Sequence, residues 1–211
     1  MVNVLIVEDQ RMIRSLLESY VAKEDGYKLY LSISGAGQAA EICKNAHIDL
    51  VLMDVQTEQR ENGLHAAAEI KKLKLNTKII IITSLVDYEV LKKAKSSGAD
   101  SLWYKDGDED TLMDIVRRTM QGEHIFPDSP PDVQIGTAQS SQFTKSELKV
   151  LRYIVRGLSY SKIAELMEIE PSTVKFHVSN MLQKTNLDNK LQLALAVSDV
   201  KLISDMTDID E

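Results

Sequence analysis

A chain of 211 residues, 44% apolar and 27% charged, holds enough apolar material to core two small domains and too much for a disordered chain. No run approaches the roughly 18 consecutive apolar residues of a membrane span. Residues 1–7 lack the basic start and cleavage site of a secretory leader. With the single Cys43, these features exclude a disulfide scaffold and point to a reducing cytoplasm and no membrane partner. The net charge of −7 is unevenly spread: residues 143–195 carry eight lysines and arginines against five acids, while the stretches on either side are acidic. A locally basic segment can bind phosphates although the whole chain is acidic.

The first 122 residues alternate apolar runs with amphipathic stretches. Strands are expected at 2–7, 28–33, 48–53, 78–83 and 101–104. VNVLIV, DLVLMD and KIIIIT are nearly unbroken aliphatic runs, as in a parallel sheet covered on both faces. Helical patterns lie at 11–23 (Ile13, Leu16, Leu17 and Tyr20 on one face), 64–73 (Ala67, Ile70, Leu73), 88–97 and 109–121. The alternation is read as (βα)5 with helices on both faces, and Gly98 suits a left-handed helix stop.

Residues 123–142 hold three of the four prolines together with serine and glycine, and read as a linker, partly extended and otherwise mobile. Beyond it no strand pattern is found. Four helices are expected near 144–156, 159–167, 171–184 and 189–198, followed by an acidic, frayed tail at 204–211.

Open α/β sheets bind ligands at the carboxyl ends of their strands. Those ends carry Glu8 and Asp9, Asp54, Thr83, and Lys105. Converging carboxylates require a cation, and Mg²⁺ suits an all-oxygen donor set. With Asp54 in LVLMDV, Thr83-Ser84 in IIIITS and Lys105 in GADSLWYKD, this constellation resembles the receiver domain of two-component response regulators, a flavodoxin-like fold, over residues 1–122. The resemblance implies that Asp54 accepts a phosphoryl group from a histidine kinase. It further implies that Glu8, Asp9, Asp54 and the Gln56 carbonyl hold Mg²⁺, and that Thr83 and Lys105 bind the phosphoryl oxygens. Two departures stand out. The loop after Asp54 (Val55-Gln56-Thr57-Glu58-Gln59-Arg60-Glu61-Asn62-Gly63) has no proline and one residue more than the family pattern. Leu102 stands where the aromatic partner of the Thr83 switch is expected.

In the second half, Ile163, Ala164 and Met167 face Val174, Val178, Met181 and Leu182 across a short turn around Glu168-Ile169-Glu170. The opposite face of the third helix shows Ser172, Phe176, Ser179 and Gln183 beside Lys175 and Asn180, side chains suited to a major groove. The pattern Phe143-Thr144-Lys145-Ser146-Glu147, Gly157-Leu158-Ser159, Lys162-Ile163-Ala164 and Thr173-Val174-Lys175-Phe176-His177-Val178 resembles the LuxR-type DNA-binding domain, here 143–203. By matching positions, Lys175, Phe176 and Ser179 are base-reading candidates. Lys162, Thr173, His177, Asn180 and Lys184 are candidates for phosphate contacts. The last helix, rich in leucine and alanine, corresponds to the family's dimerisation helix.

The expected function is a phosphorylation-controlled transcription regulator, a homodimer on double-stranded DNA. It is not an enzyme beyond its own phosphoryl transfer and dephosphorylation. The alternative is a phosphorylation-independent regulator whose receiver serves as a dimerisation platform. An aspartyl phosphatase of the haloacid dehalogenase type is excluded, because the residue two after Asp54 is Gln56 and not aspartate.

Overall fold

The computed structural model describes residues 1–203, and the expected acidic tail at 204–211 lies outside them. By its contacts the chain divides into two compact units. Residues 1–84 and 89–129 form the first, and Leu85–Tyr88 cluster with the residues from 130 onward in the second.

The first unit is built on five strands, β1 (Val2–Val7), β2 (Tyr27–Ile33), β3 (Leu50–Asp54), β4 (Lys78–Thr83) and β5 (Ser101–Tyr104). All neighbours are parallel, in the order β2-β1-β3-β4-β5. Every residue of β3 is buried, as are five of six in β4, which explains their unbroken aliphatic sequence. On one face Val4, Ile6, Leu50, Leu52, Ile80, Ile82 and Trp103 pack with Leu17 and Val21 of α1 (Arg11–Lys23) and with Leu112, Met113 and Val116 of α5 (Glu109–Met120). Each such side chain stabilises the fold by roughly 1.5–3 kcal/mol relative to exposure. The alternate strand residues point to the other face. There α2 (Ala39–Asn45), α3 (Gly63–Lys72) and α4 (Tyr88–Ser96) bury Cys43, Ile70, Leu91 and their neighbours.

The helix α2 escaped the sequence reading. Its seven residues follow a short 3-10 turn, Ala36–Gln38, too little length for a 3.6-residue period to show. Leu16 and Leu73, read as facing the core, are exposed; the buried stripe of α1 runs through Leu17 and Val21, four apart. Gly98 adopts φ +82° after α4, the left-handed stop expected there.

The second unit contains a small hairpin, β6 (Gln134–Ile135) with β7 (Ala138–Gln139), and four helices, α6 (Lys145–Val155), α7 (Tyr160–Met167), α8 (Pro171–Thr185) and α9 (Lys190–Asp199). The hairpin lies within the stretch read as linker. Its turn meets the end of α8: the Thr137 N–H donates to the Thr185 carbonyl (3.0 Å) and the Thr137 hydroxyl to the Lys184 carbonyl (2.9 Å). A capping box at Thr144 and Glu147 opens α6. Within this unit Asp87 makes a bidentate pair with the buried guanidinium of Arg152 (2.6 and 3.0 Å). Ile163, Ala164, Val174, Val178 and Met181 are buried together with Val150, Leu151 and Leu193.

One glycine ties fold to site. Gly63, at the first position of α3 after the Asn62 cap, is so close to β3 that a Cβ there would sit 1.8 Å from the Asp54 carbonyl oxygen. Gly63→Ala is therefore expected to lower stability by more than about 2 kcal/mol, because backbone and not a side-chain tip must yield. Chemical denaturation of the variant measures it.

Candidate functional site

The strand order reverses between β1 and β3, and crevices of open sheets lie at such reversals, beyond the carboxyl ends. Glu8 and Asp9 follow β1, and Asp54 ends β3. The structure brings these three carboxylates together: one oxygen from each lies within 4.8 Å of the others. Glu8 and Asp54 are buried at 0% and 4% exposure. Lys105, following β5, reaches between them, with Nζ 2.6 Å from Glu8 Oε2 and 2.8 Å from Asp54 Oδ2. The first contact is an ion pair without hydrogen-bond alignment, so Glu8 Oε2 remains a buried oxygen lacking a donor.

Thr83 is buried at the end of β4, and its carbonyl accepts from the Lys105 N–H at 2.9 Å. Neighbouring strands thus deliver Asp54, Thr83 and Lys105 to one edge of the sheet. Leu102 is buried inside β5, opposite Ile81 of β4. Gln56 lies in the loop after Asp54, bridged to Asn62. The sequence reading missed Arg14, whose guanidinium donates to the Glu8 carbonyl at 2.8 Å. Its signal was its place one turn into the helix that follows the two acids.

Burial pushes the Asp54 carboxyl up, Lys105 pulls it back, and the negative charges of Glu8 and Asp9 raise it again, to about 6. Crowded carboxylates with one donorless buried oxygen are a set that a divalent cation would relieve. Glu8, Asp9 and Asp54 could hold such an ion, and all-oxygen donors suit a hard cation such as Mg²⁺.

In the second unit α7 and α8 form a helix-turn-helix, with Glu168 in the left-handed region at φ 55° closing α7 and Pro171 opening α8. Lys175, Phe176 and Ser179 project from α8 into solvent, Phe176 at 61% exposure. Thr173, His177 and Asn180 flank them, half-buried. Lys162 is exposed on α7 and paired with Glu165 at 2.8 Å. Lys184 is placed differently from the rest. Its ammonium lies 2.7 Å from Glu147 and 2.9 Å from the Gln142 carbonyl, over the Phe143 ring, so it braces α8 against the start of α6. Burial pushes the Glu147 carboxyl up, but Lys184 and the Thr144 cap outweigh it and hold it below the usual range.

The molecule is thus of the class in which an acidic pocket on a five-stranded α/β unit is joined to a helix-turn-helix unit. The sequence matches the response regulator receiver domain family over residues 4–117 and the luxR family of bacterial regulatory proteins over residues 141–197. The chain belongs to the two-component response regulators with a LuxR-type DNA-binding domain. Among similar proteins, response regulator VraR of Staphylococcus epidermidis is 28% identical over 202 residues, covering 92% of this chain and 95% of its own. A structure of two RcsB dimers bound to two parallel DNAs aligns with TM-score 0.62 at 16% identity, over 94% of this chain and 98% of that one. A LuxR-family two-component regulator from Aurantimonas aligns with TM-score 0.55 at 21% identity, over 59% and 88%. At these identities the solved structures speak to fold. Among the described residues no helix is long and apolar enough to cross a membrane.

A pH dependence follows from the raised Asp54 carboxyl. Folding favours its neutral form, so its contribution is fully present below the unfolded value near 3.8 and is lost as pH rises through about 6. Asp54→Asn cannot suffer this loss. In metal-free buffer at pH 7.5 the variant should exceed wild type in stability by on the order of 2 kcal/mol, with the gap closing toward pH 4. Paired denaturation curves across that range test it, and equal stabilities at pH 7.5 would refute it.

Proposed function

We propose that this response regulator is switched by phosphorylation of Asp54 and, when phosphorylated, binds a DNA operator as a homodimer to control transcription. The observation that carries the reading is the convergence of Glu8, Asp9 and Asp54, with the Lys105 ammonium between Glu8 and Asp54. In this reading residues 1–122 are the phosphoacceptor domain, 143–203 read DNA, and the donor is a histidine kinase in the same cytoplasm.

An Asp54 carboxylate oxygen attacks the donor's phosphorus in line, the phosphorus–nitrogen bond to the donor histidine breaks, and an acyl phosphate forms. Lys105 moves from Asp54 toward the new phosphoryl oxygens, where its charge matters most in a water-poor setting. The Thr83 hydroxyl supplies a second donor. Glu8, Asp9, Asp54 and the Gln56 carbonyl would hold Mg²⁺, which when bound neutralises charge on the phosphoryl oxygens. None of these groups turns over a substrate, so the chemistry serves the switch alone.

Helix α8 supplies the DNA face. Lys175 has a long, exposed cationic arm, Ser179 a small polar group one turn on, and Phe176 an apolar surface suited to thymine methyl groups. Lys162, Thr173, His177 and Asn180 are placed to meet phosphates around them, whereas Lys184 is braced by Glu147. Leu191 and Leu195, one turn apart on α9 and 67% and 56% exposed, offer an apolar strip for a second copy, and two-fold pairing of helices suits paired half-sites.

Two measurements test the reading. Incubation with acetyl phosphate and Mg²⁺ should add one phosphoryl mass to the wild type and none to Asp54→Asn. A full mass shift in that variant would place the nucleophile elsewhere, and an unmodified wild type that still binds its operator would favour the phosphorylation-independent alternative. On a defined operator, Lys175→Ala should weaken binding and flatten the salt dependence by about 0.9 in log–log slope per half-site contact. Phe176→Ala should relax sequence preference with the slope kept. Unchanged binding by both variants would defeat the assignment of α8.

A further inference from the structure

The loop after Asp54, longer than the family pattern and without its proline, is held by a device of its own. It folds back on itself: Gln56 bridges to Asn62, and the Thr57 N–H and hydroxyl both donate to the Glu61 carbonyl, at 3.2 and 3.0 Å. It also docks on residues 34–37, which leave β2. The Ala36 N–H donates to the buried Thr57 hydroxyl oxygen at 3.1 Å, and the Glu58 N–H donates to the Ser34 carbonyl at 3.1 Å. The Ser34 hydroxyl donates to the Glu58 carboxylate.

The Glu61 carboxylate completes the clasp by accepting from the Gly37 N–H at 2.7 Å. It sits so near the backbone that a Cβ on Gly35 or Gly37 would come within 2.6 or 2.5 Å of its oxygens. Neither glycine has a left-handed φ, so their lack of a side chain serves to admit the carboxylate.

We infer that Glu61, seated between Gly35 and Gly37, is a positioning residue for the cation site: it fixes the turn that aims the Gln56 carbonyl beside Glu8, Asp9 and Asp54. A proline turn would stiffen such a loop from within. Here the loop is stiffened from outside, by a carboxylate clasped in the backbone of 34–37 and by Thr57 bonded on both sides. This inference rests on the metal-dependent reading above and adds to it the residues that determine cation affinity without touching the cation. Partners one layer out from a metal commonly alter its affinity 10–100-fold. The Glu61 clasp is partly solvated, so the low end applies.

The test is calorimetric titration of Mg²⁺ into the full chain, beside metal-free thermal denaturation. Glu61→Ala should weaken Mg²⁺ binding about tenfold with little change in metal-free melting temperature. Glu61→Gln keeps a carbonyl acceptor and should retain most of the affinity. Gly37→Ala leaves Glu61 intact but fills its seat. The group it meets is the tip of a flexible side chain, so the fold should persist while Mg²⁺ binding weakens as in Glu61→Ala. Wild-type affinity in both Glu61→Ala and Gly37→Ala would overturn the inference and leave the metal-dependent reading standing. A melting temperature that falls in step with affinity would also overturn it, by showing a merely structural role. A wild type that binds no Mg²⁺ would overturn both.

Discussion

Two carboxylates buried at the mouth of a parallel sheet, with a third beside them, set the terms for everything around them. Such a group of like charges in a poor dielectric is unfavourable unless cations are brought in. Lys105 is the cation the chain itself supplies, and it spans Glu8 and Asp54 at once. One ammonium stands against three carboxylates, and burial first, with the charges of Glu8 and Asp9 added to it, raises the Asp54 carboxyl against the pull of Lys105. A site of this kind is one that a divalent cation would relieve, and Lys105 is the group that holds its two buried carboxylates together.

The sheet makes the cluster unavoidable. Strand order β2-β1-β3-β4-β5 puts the ends of β1 and β3 side by side, and helices lead away to opposite faces at that point, opening the crevice. Gly63 brings α3 hard against the Asp54 backbone, and Arg14 grips the Glu8 carbonyl from α1. The backbone carrying the acids is therefore held from α1 and from α3, which a site with repelling groups needs if they are not to splay apart.

Much of this was legible in the amino-acid order. Strand-end positions of Glu8, Asp9, Asp54, Thr83 and Lys105 follow from aliphatic runs whose ends are sharply marked, and the α7–α8 pair follows from its apolar stripe. Helix α2 was hidden because seven residues are too few to establish a period. The pairing of Lys184 with Glu147 was hidden because it joins residues 37 apart in sequence, and a lysine at the end of the second helix of a helix-turn-helix reads equally well as a phosphate contact. The Glu61 seat was hidden for a related reason. The loop could be read from the sequence, but the seat of its Glu61 lies two dozen residues earlier, in two glycines that carry no chemistry of their own.

The hairpin before α6 bears on where the DNA-reading part of the chain begins. The Thr137 contacts complete the last carbonyls of α8, and a Cβ at Gly136 would fall 2.1 Å from the Thr185 carbonyl oxygen. Asp132 secures the hairpin in turn through Ser140 and Ser141. A fragment trimmed to the four helices would keep the left-handed Asn186 cap of α8 but would leave the Lys184 and Thr185 carbonyls without the Thr137 donors. By its contacts the hairpin belongs to the same folded unit as the four helices, a unit that takes in the chain from Pro130 onward.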